Sequence, residues 1–258
     1  MQDPFLTCRD PTPIVTLDEI GSTNAEALRL AAHGEAGPLW VNARRQTAGR
    51  GRDGRDWTSL PGNLHASLLF TVWCDANQLP RLSLVAGVAL AEAVGTLMAA
   101  DEQRATPRLK WPNDLLFANR KCAGILVETT TRPAGQFACI LGFGANIASA
   151  PLIPGRDVTS LSEQHMETTP LDLIARIDGA MRNAMAALSS PNGFTHIRQR
   201  WLANAVPMGT RLTVTTGNGM RNGLFAGLDE DGALLLEDET GSLTRITHGD
   251  VSACGGVV

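Results

Sequence analysis

A ten-residue apolar stretch, LHASLLFTVW from Leu64 to Trp73, places the strongest constraint on the fold. One face of this stretch carries, at period two, the residues Leu64, Ala66, Leu68, Phe70 and Val72. The opposite face is also mostly apolar, so both sides of such a strand need cover from water. The stretch therefore predicts a central strand of a β-sheet.

Helical patterns lie on either side of this strand in the sequence. Arg81 to Ala100 is a long run of apolar helix formers and is predicted to be a mostly buried helix, with two interior glycines that indicate close packing. Near the N-terminus, Thr23 and Glu26 form a capping-box pattern, which predicts that a helix begins there and ends near His33. Two more helices are predicted, over 171–188 and 194–205.

The pattern of the sequence changes at Pro207. From there, short runs of β-forming residues are separated by Gly-Asn and Asp-Gly turns. This pattern predicts a small C-terminal β-barrel of the SH3-like kind. We therefore predict a domain over residues 1–206, whose mixture of helices and strands is α+β, and a second domain over residues 207–258.

The composition of the 258-residue chain is ordinary for a globular protein, with 43% hydrophobic and 19% charged residues. No apolar run approaches the roughly 20 residues that span a bilayer. The N-terminus lacks the charged start and apolar core of a signal peptide. We therefore predict a cytoplasmic protein without membrane association.

Cysteine and histidine spacing indicates no metal site. The five cysteines are scattered without a C-x-x-C pair, which favours neither a disulfide framework nor zinc. The five histidines likewise show no ligand spacing. No metal-binding residues are predicted, and the formal net charge of −4 does not favour nucleic acid as a partner.

The most unusual polar stretch, RRQTAGRGRDGRDW, runs from Arg44 to Trp57 and carries five arginines and three glycines. Three interpretations apply: a solvated surface loop, a G-x-G-x-x-G dinucleotide motif, or a clamp for a small anion. The dinucleotide motif needs a helix directly after the glycines, and here more loop follows. Because arginines and backbone amides bind carboxylates and phosphates, the anion clamp remains as the functional interpretation, beside the solvated loop.

Lysine is scarce: of 22 basic residues only Lys110 and Lys121 are lysines. Either they cluster by chance, or they mark places where a compact ammonium is needed instead of a planar guanidinium. Turns at Pro112 and around Asn119 predict a hairpin that would bring both lysines close to Asn113 and Asp114. The alternative for this hairpin is a set of solvated turn residues.

Five motifs in one order carry a family resemblance: GSTN, QTAGRGRDGRDW, KWPNDLLF, RKCAGILVE and GFGANI. Together they resemble the catalytic domain of biotin–protein ligases, over about residues 12–250. The resemblance implies an α+β catalytic domain similar to class II aminoacyl-tRNA synthetases, with a mixed or antiparallel sheet. It also implies that biotin and Mg-ATP give biotinyl-5′-AMP, and that a lysine of a biotin carboxyl carrier protein then receives biotin.

The resemblance also implies the roles of individual residues. The catalytic residues would be Lys121, Arg50, Arg52 and Asp114. The biotin-binding residues would be Ser22, Thr23, Asn24, Gln46, Arg50, Gly51, Arg52, Trp57, Lys121, Gly142 and Gly144. The nucleotide-binding residues would be Lys110, Asn113 and Asn146. In the loop over 148–163, which in this family orders over the adenosine, no tryptophan is present, so apolar cover would come from Leu152 or Ile153.

Two rival functions and one added function are weighed against this expectation. A lipoate–protein ligase would catalyse the same adenylation, but its pocket needs no partners for a ureido ring. A non-catalytic binder of biotin or nucleotide would not need both anion-binding groups. Some family members carry an N-terminal DNA-binding domain; since the first motif begins at Gly21, we predict a ligase without repressor function, and a homodimer is compatible with the sequence.

Overall fold

The computed structural model describes residues 1, 3–5, 10–98, 105–217 and 219–253. Within these ranges the helices are α1 (Thr23–Ala32), α2 (Arg81–Gly95), α3 (Pro170–Ser189) and α4 (Gly193–Ala203). One sheet contains β1 (Ile14–Ile20), β2 (Leu39–Gln46), β3 (Leu64–Trp73), β4 (Arg108–Lys110), β5 (Asp114–Phe117), β6 (Arg120–Arg132) and β7 (Gln136–Ala145). The other contains β8 (Arg211–Thr216), β9 (Gly219–Leu228), β10 (Leu234–Glu237), β11 (Leu243–Ile246) and β12 (Asp250–Ala253).

The larger sheet has the strand order β1-β2-β3-β7-β6-β5-β4 within the described chain. β1 and β2 are parallel, and every other neighbouring pair is antiparallel. β3 lies between β2 and β7 and is buried along nearly its whole length, which confirms the prediction of a central strand. The described chain combines helices with a mixed sheet and a second, smaller sheet, which confirms the predicted mixture of helix and strand.

Helices cover both faces of the larger sheet. Ala27 and Ala31 of α1 pack on one face, against Val41, Leu69 and Ile140. α2, α3 and α4 pack together on the opposite face, over the main apolar core. A Cβ at position 87 of α2 would lie 3.1 Å from the buried indole nitrogen of Trp201 on α4, so one of the two interior glycines of α2 does mark close helix packing.

α1 begins at Thr23 and ends before His33, as predicted, but the predicted capping box and the predicted end of α2 are wrong. The cap of α1 is Ser22, whose Oγ accepts a hydrogen bond from Ala25 N at 3.4 Å, and Thr23 is the first helical residue. Glu26 does not complete a capping box, because its carboxylate pairs with Arg29 at 2.6 Å. α2 ends at Gly95, whereas residues 99–100 of its predicted span lie outside the described residues.

β2 extends three residues beyond its predicted end at Ala43 and includes Arg44 and Arg45. These two arginines pair with acidic residues of the neighbouring parallel strand β1, Arg44 with Asp18 at 3.3 Å and Arg45 with Glu19 at 2.6 Å. All four side chains are more than half exposed. Two of the five arginines in the polar stretch are therefore surface ion-pair partners and do not belong to an anion clamp.

The smaller sheet is antiparallel throughout, in the order β11-β10-β9-β8-β12. It contacts the helices through Trp201 and Phe225, whose ring centroids lie 6.4 Å apart, and through Arg81, which pairs with Asp231 at 3.1 Å. The segment that leads into it runs beside β4, where Leu109 N donates to Asn204 O at 2.7 Å. Among the described residues, no helix combines the length and the apolar composition that crossing a membrane requires.

Asp178 of α3 binds both the N-terminal segment, through Thr12 N at 3.3 Å, and β2, and it provides a test of the fold. Its buried carboxylate accepts hydrogen bonds from Trp40 Nε1 at 2.9 Å and Arg182 Nε at 3.0 Å. Asp178→Ala leaves a buried indole N–H and a guanidinium without this partner, so we expect a loss of about 3 kcal/mol in the free energy of unfolding, measured with urea. Asp18→Ala, at an exposed pair, is the control and is expected to change it by less than about 0.5 kcal/mol. Equal midpoints for both variants would contradict this role of Asp178.

Candidate active site

A cavity of about 330 Å³ lies where the N-terminus of α1, the loop after β2, the ends of β4 to β7 and strand β12 meet. This volume is within the range of about 300–1,000 Å³ that is usual for small-molecule sites. Every site residue predicted from the sequence borders this cavity. They are Ser22, Thr23, Asn24, Gln46, Arg50, Gly51, Arg52, Trp57, Lys110, Asn113, Asp114, Lys121, Gly142, Gly144 and Asn146.

Two lysines share one carboxylate at the wall of the cavity. Lys110 Nζ lies 2.9 Å from one oxygen of Asp114, and Lys121 Nζ lies 2.5 Å from the other. The β4–β5 hairpin places Lys110 opposite Asp114, and β6 delivers Lys121 from the next strand. Burial acts to raise the pKa of Asp114, but the charges of Lys121 and Lys110 outweigh it and hold the pKa below its ordinary value. Two ammonium groups against one carboxylate leave the cluster with one excess positive charge.

The loop between β2 and β3 forms a miniature hairpin. Gly51 N donates to Arg55 O at 2.6 Å, and Trp57 N donates to Gly49 O at 2.9 Å. Asp53 at its tip has a φ of 55°, a left-handed conformation that Asp tolerates in tight turns. β3 begins after further loop, without an α-helix in between, which confirms the rejection of a dinucleotide motif.

The arginines of this hairpin have different partners. Arg50 pairs with Glu128 at 3.6 Å, and Arg55 pairs with Asp250 at 2.7 Å. Within the described residues, the hydrogen bonds of Arg52 go to two neutral oxygens, Asn113 Oδ1 at 3.2 Å and Gly249 O at 3.1 Å. The charge of Arg52 is therefore not compensated by an acidic partner there, and it suits an anionic ligand.

A polar network lies below the N-terminus of α1. Thr23 N and Oγ1 donate to Gln46 Oε1 at 2.8 and 3.1 Å. The side-chain amide of Asn24 accepts from Ser67 Oγ at 2.6 Å and donates to Glu128 Oε2 at 2.7 Å. These bonds fix the orientation of both α1 side chains. At Gly142 a Cβ would collide with Asn24 Oδ1, so the glycine permits a close side chain.

Trp57 lies against β7 at a second glycine. A Cβ on Gly144 would be 2.5 Å from Cε2 of the indole, and Lys121 Nζ lies 5.7 Å from the ring centroid. The indole Nε1 is buried without a hydrogen-bond partner among the described residues. Because a buried indole N–H usually finds an acceptor, this donor is available to a ligand.

The remaining predicted residues are held by protein contacts. Asn113 Nδ2 donates to Ile125 O at 2.7 Å while its Oδ1 accepts from Arg52, so it orients the arginine. Asn146 Nδ2 donates to Thr159 O at 3.0 Å, which anchors the loop after β7. In that loop Ile153 borders the cavity, whereas Leu152 does not and is fully exposed.

Sequence reasoning missed several polar residues at or beside the cavity, among them Arg55, Ser67, Glu128 and Asp250. Ser67 carried a usable signal, because a serine in the middle of a buried apolar strand needs a hydrogen-bond partner. Arg55 lies in the same Arg/Gly stretch as Arg50 and Arg52. Glu128 ends the RKCAGILVE motif, which was a usable signal, whereas nothing near Asp250 in sequence points to the cavity.

Comparisons with known proteins agree with this arrangement. Residues 20–146 match the biotin/lipoate A/B protein ligase family, and residues 209–253 match the biotin protein ligase C-terminal domain. The biotin–[acetyl-CoA-carboxylase] ligase of Paracoccus denitrificans is 38% identical over 226 residues, 85% of this chain and 92% of that protein. The ligase of the same name from Mycobacterium tuberculosis is 32% identical, over 90% of this chain and 86% of that protein.

A solved structure shows that the similarity includes the fold. The structure of a variant of biotin protein ligase from Aquifex aeolicus, in complex with biotin, superposes with a TM-score of 0.76 at 25% identity. The match covers 95% of this chain and 99% of that one. Fold and cavity thus place the chain among ligases that modify proteins. It belongs to the biotin protein ligase family.

The contact between Trp57 and Gly144 can be tested without any ligand. A methyl group at position 144 forces the indole away from β7, so we expect Gly144→Ala to shift the fluorescence emission of Trp57 to longer wavelength. The shift is measured as the difference from the same variant in a Trp57→Phe background. Gly179→Ala on the exposed face of α3, where a Cβ meets open space, is the control and is expected to leave the emission unchanged. Identical emission in both variants would contradict the packing.

Proposed function

We propose that this chain activates biotin with ATP to form biotinyl-5′-AMP and then transfers biotin to a lysine of a biotin carboxyl carrier protein. The observation that supports this most strongly is the approach of Arg52, Lys110 and Lys121 to one cavity from a loop and two strands. A carboxylate and a phosphate repel each other, so their reaction needs preorganised positive donors. The names and the biotin complex of the relatives supply the substrate.

In the first step, an oxygen of the biotin carboxylate attacks the α-phosphorus of ATP and pyrophosphate leaves. Lys121 has three ammonium donors, of which Asp114 needs one, so the other two can reach the carboxylate and a phosphate oxygen. Arg52 adds a guanidinium that no carboxylate occupies within the described chain. We assign Lys121, Arg52, Arg50 and Asp114 to this step, with Asp114 holding both lysines in place.

We assign the binding of biotin to the polar network at α1 and to the indole of Trp57. Ser22, Thr23, Asn24 and Gln46 offer donors and acceptors for the ureido ring, while Gly142 and Gly144 border the cavity beside them and let Asn24 and Trp57 pack against β7. Arg50 and Gly51 border the proposed biotin site on the side of the arginine loop. We assign Lys110, Asn113 and Asn146 to the nucleotide, with Ile153 as apolar cover for the adenine.

In the second step, the amine of the acceptor lysine attacks the acyl carbon of the adenylate. A C–N bond forms, the bond between the acyl carbon and the phosphate oxygen breaks, AMP leaves with that oxygen, and the proton that the amine loses goes to water. Because the pKa of Asp114 is held below its ordinary value, this carboxylate is ionised at neutral pH. Both of its oxygens face lysines, so it positions Lys110 and Lys121 and is not the group that removes a proton from the acceptor amine.

We propose that Mg²⁺ enters with ATP. Mg²⁺ prefers oxygen ligands and is commonly held by one or two carboxylates together with substrate phosphates. The cavity is bordered by such carboxylates, but Asp114 faces two lysines, so the donor set fits a metal that is held mainly by phosphate oxygens. The ion, when bound, neutralises phosphate charge.

The finer features of the fold belong to the same proposal. We propose that residues 1–206 form a catalytic domain similar to class II aminoacyl-tRNA synthetases, and that residues 207–258 form an SH3-like barrel. We propose that the protein acts in the cytoplasm. For a homodimer, the surface we favour is the free edge strand β1, where Ile14 and Val15 are about 40% exposed.

The substrate is tested by following label from α-phosphate-labelled ATP into an enzyme-held adenylate. Biotin is expected to drive the incorporation and lipoate is not. Incorporation that depends on lipoate would favour the alternative, a lipoate–protein ligase. Binding of biotin without incorporation would favour a non-catalytic binder.

Lys121→Ala is expected to slow adenylate formation by about 10²-fold or more, because one preorganised donor to the developing charge is lost. The rate is measured as biotin-dependent exchange of pyrophosphate into ATP. Arg120→Ala removes the neighbouring cation, which pairs with Glu163 at the surface, and is expected to leave the rate unchanged. A Lys121→Ala enzyme as fast as this control would defeat the role assigned to Lys121.

Arg52→Gly is expected to loosen the retention of biotinyl-5′-AMP, since a guanidinium that faces the cavity is lost. The measurement is biotin labelling of a bystander protein that is not a carrier, and we expect it to rise. Arg44→Gly, in the exposed pair with Asp18, is the matched control and is expected to label only the carrier. Labelling confined to the carrier in both variants would rule out the clamp.

A further inference from the structure

Gly249 and the first two residues of β12 contact three cations around the cavity. Gly249 O accepts from Arg52 Nη2 at 3.1 Å, and Val251 O accepts from Lys110 Nζ at 2.5 Å. Asp250 lies between them and binds both terminal nitrogens of Arg55, at 2.9 and 2.7 Å. The smaller sheet thus borders the cavity directly and holds cations of both the arginine loop and β4.

The pair between Arg55 and Asp250 differs from the other two contacts because both partners are charged. Its fork geometry, with two nitrogens on two oxygens, is the strong form of this interaction. The hydrogen bond from Arg55 lowers the pKa of Asp250 below its ordinary value, so the pair persists at neutral pH. The side chains are 37% and 47% exposed, which limits the strength of the pair through solvent screening.

The tip of the arginine loop has few other anchors. At its base, Ala48 N donates to Gly21 O at 2.8 Å, and its own hairpin bonds hold the loop together. Between positions 50 and 55, the contacts with the rest of the protein are made by arginine side chains. Loss of Asp250 therefore removes the anchor of Arg55, leaves those of Arg50 and Arg52, and does not break the hairpin.

We propose that Asp250 is a positioning residue that holds the arginine loop over the cavity through Arg55. Asp250 acts through Arg55 and so fixes the place where Arg52 meets the ligand. This inference rests on the proposed function only where it concerns the adenylate. The smaller sheet then contributes to catalysis by keeping the loop closed between the two steps.

A first experiment needs no substrate. Trypsin cleaves after arginine, so the rate of cleavage after Arg52 and Arg55, mapped by mass spectrometry, reports how often the loop opens. Asp250→Asn is expected to raise this rate about fivefold, the upper end for a half-exposed ion pair. The matched control is Asp231→Asn, which breaks another ion pair between the smaller sheet and a helix, with Arg81 at 3.1 Å, and is expected to leave loop cleavage unchanged. Equal cleavage in both variants overturns the proposal.

A second experiment measures release of biotinyl-5′-AMP from the enzyme by rapid filtration. Asp250→Asn is expected to speed release about fivefold, with the adenylation rate at saturating biotin and ATP changed less, and Asp250→Glu is expected to restore part of the retention. A purely structural role would instead lower the unfolding midpoint without changing release. If the unmodified protein makes no adenylate, the proposed function fails, while the trypsin result still decides the role of Asp250.

Discussion

The carboxylate of Asp114 is the centre on which the cavity depends. Two ammonium groups that approach the same point would repel each other where water is partly excluded. The carboxylate between them makes their approach favourable. The arrangement requires three adjacent strands, because β4 carries one lysine, β5 the carboxylate and β6 the other lysine. The edge of the larger sheet thus holds a compact positive cluster while the chain as a whole carries a net charge of −4.

The cavity also needs parts of the chain that are far apart in sequence. The arginine loop is flanked by β2 and β3, the carboxylate cluster by β4 to β6, and β12 closes the opening from the smaller sheet. Glycines at 142 and 144 let Asn24 and Trp57 lie directly on β7, so side chains fill the space that glycines usually leave for a ligand or backbone. Because each wall comes from a different element, the site can form only when both sheets have packed on the helices.

Sequence reasoning succeeded where the partners are near in sequence or where the pattern is regular. Lys110 precedes Asp114 by four residues and Lys121 follows after one turn, so hairpin geometry was sufficient to bring them together. β3 was identified because its apolar pattern is regular and occupies both faces of the strand. The resemblance to a family then supplied cavity residues such as Asn24, whose contact with Glu128 spans 104 residues.

The failures share a physical cause. Arg44 and Arg45 look like the other arginines in the stretch, but their acidic partners lie on a parallel strand, and parallel pairing cannot be read from a local pattern. Ser22 and Thr23 are both residue types that cap helices well. Which of them is the cap of α1 depends on the path of the chain before the helix. The bond between Arg55 and Asp250 joins positions 195 residues apart, and its existence follows from the docking of one sheet on the other.

The scarcity of lysine has a consequence for the protein itself. Lys110 and Lys121 supply every ε-amino group of the chain, and both are engaged by Asp114 inside the cavity. The outer surface carries its positive charge as guanidinium groups, which stay protonated and are poor nucleophiles. Biotinyl-5′-AMP is a mixed anhydride that reacts with amines. If it leaves the cavity, it therefore meets almost no amine on the protein that made it, apart from the N-terminus. Such a catalyst is largely immune to self-acylation, and stray modification falls on its neighbours.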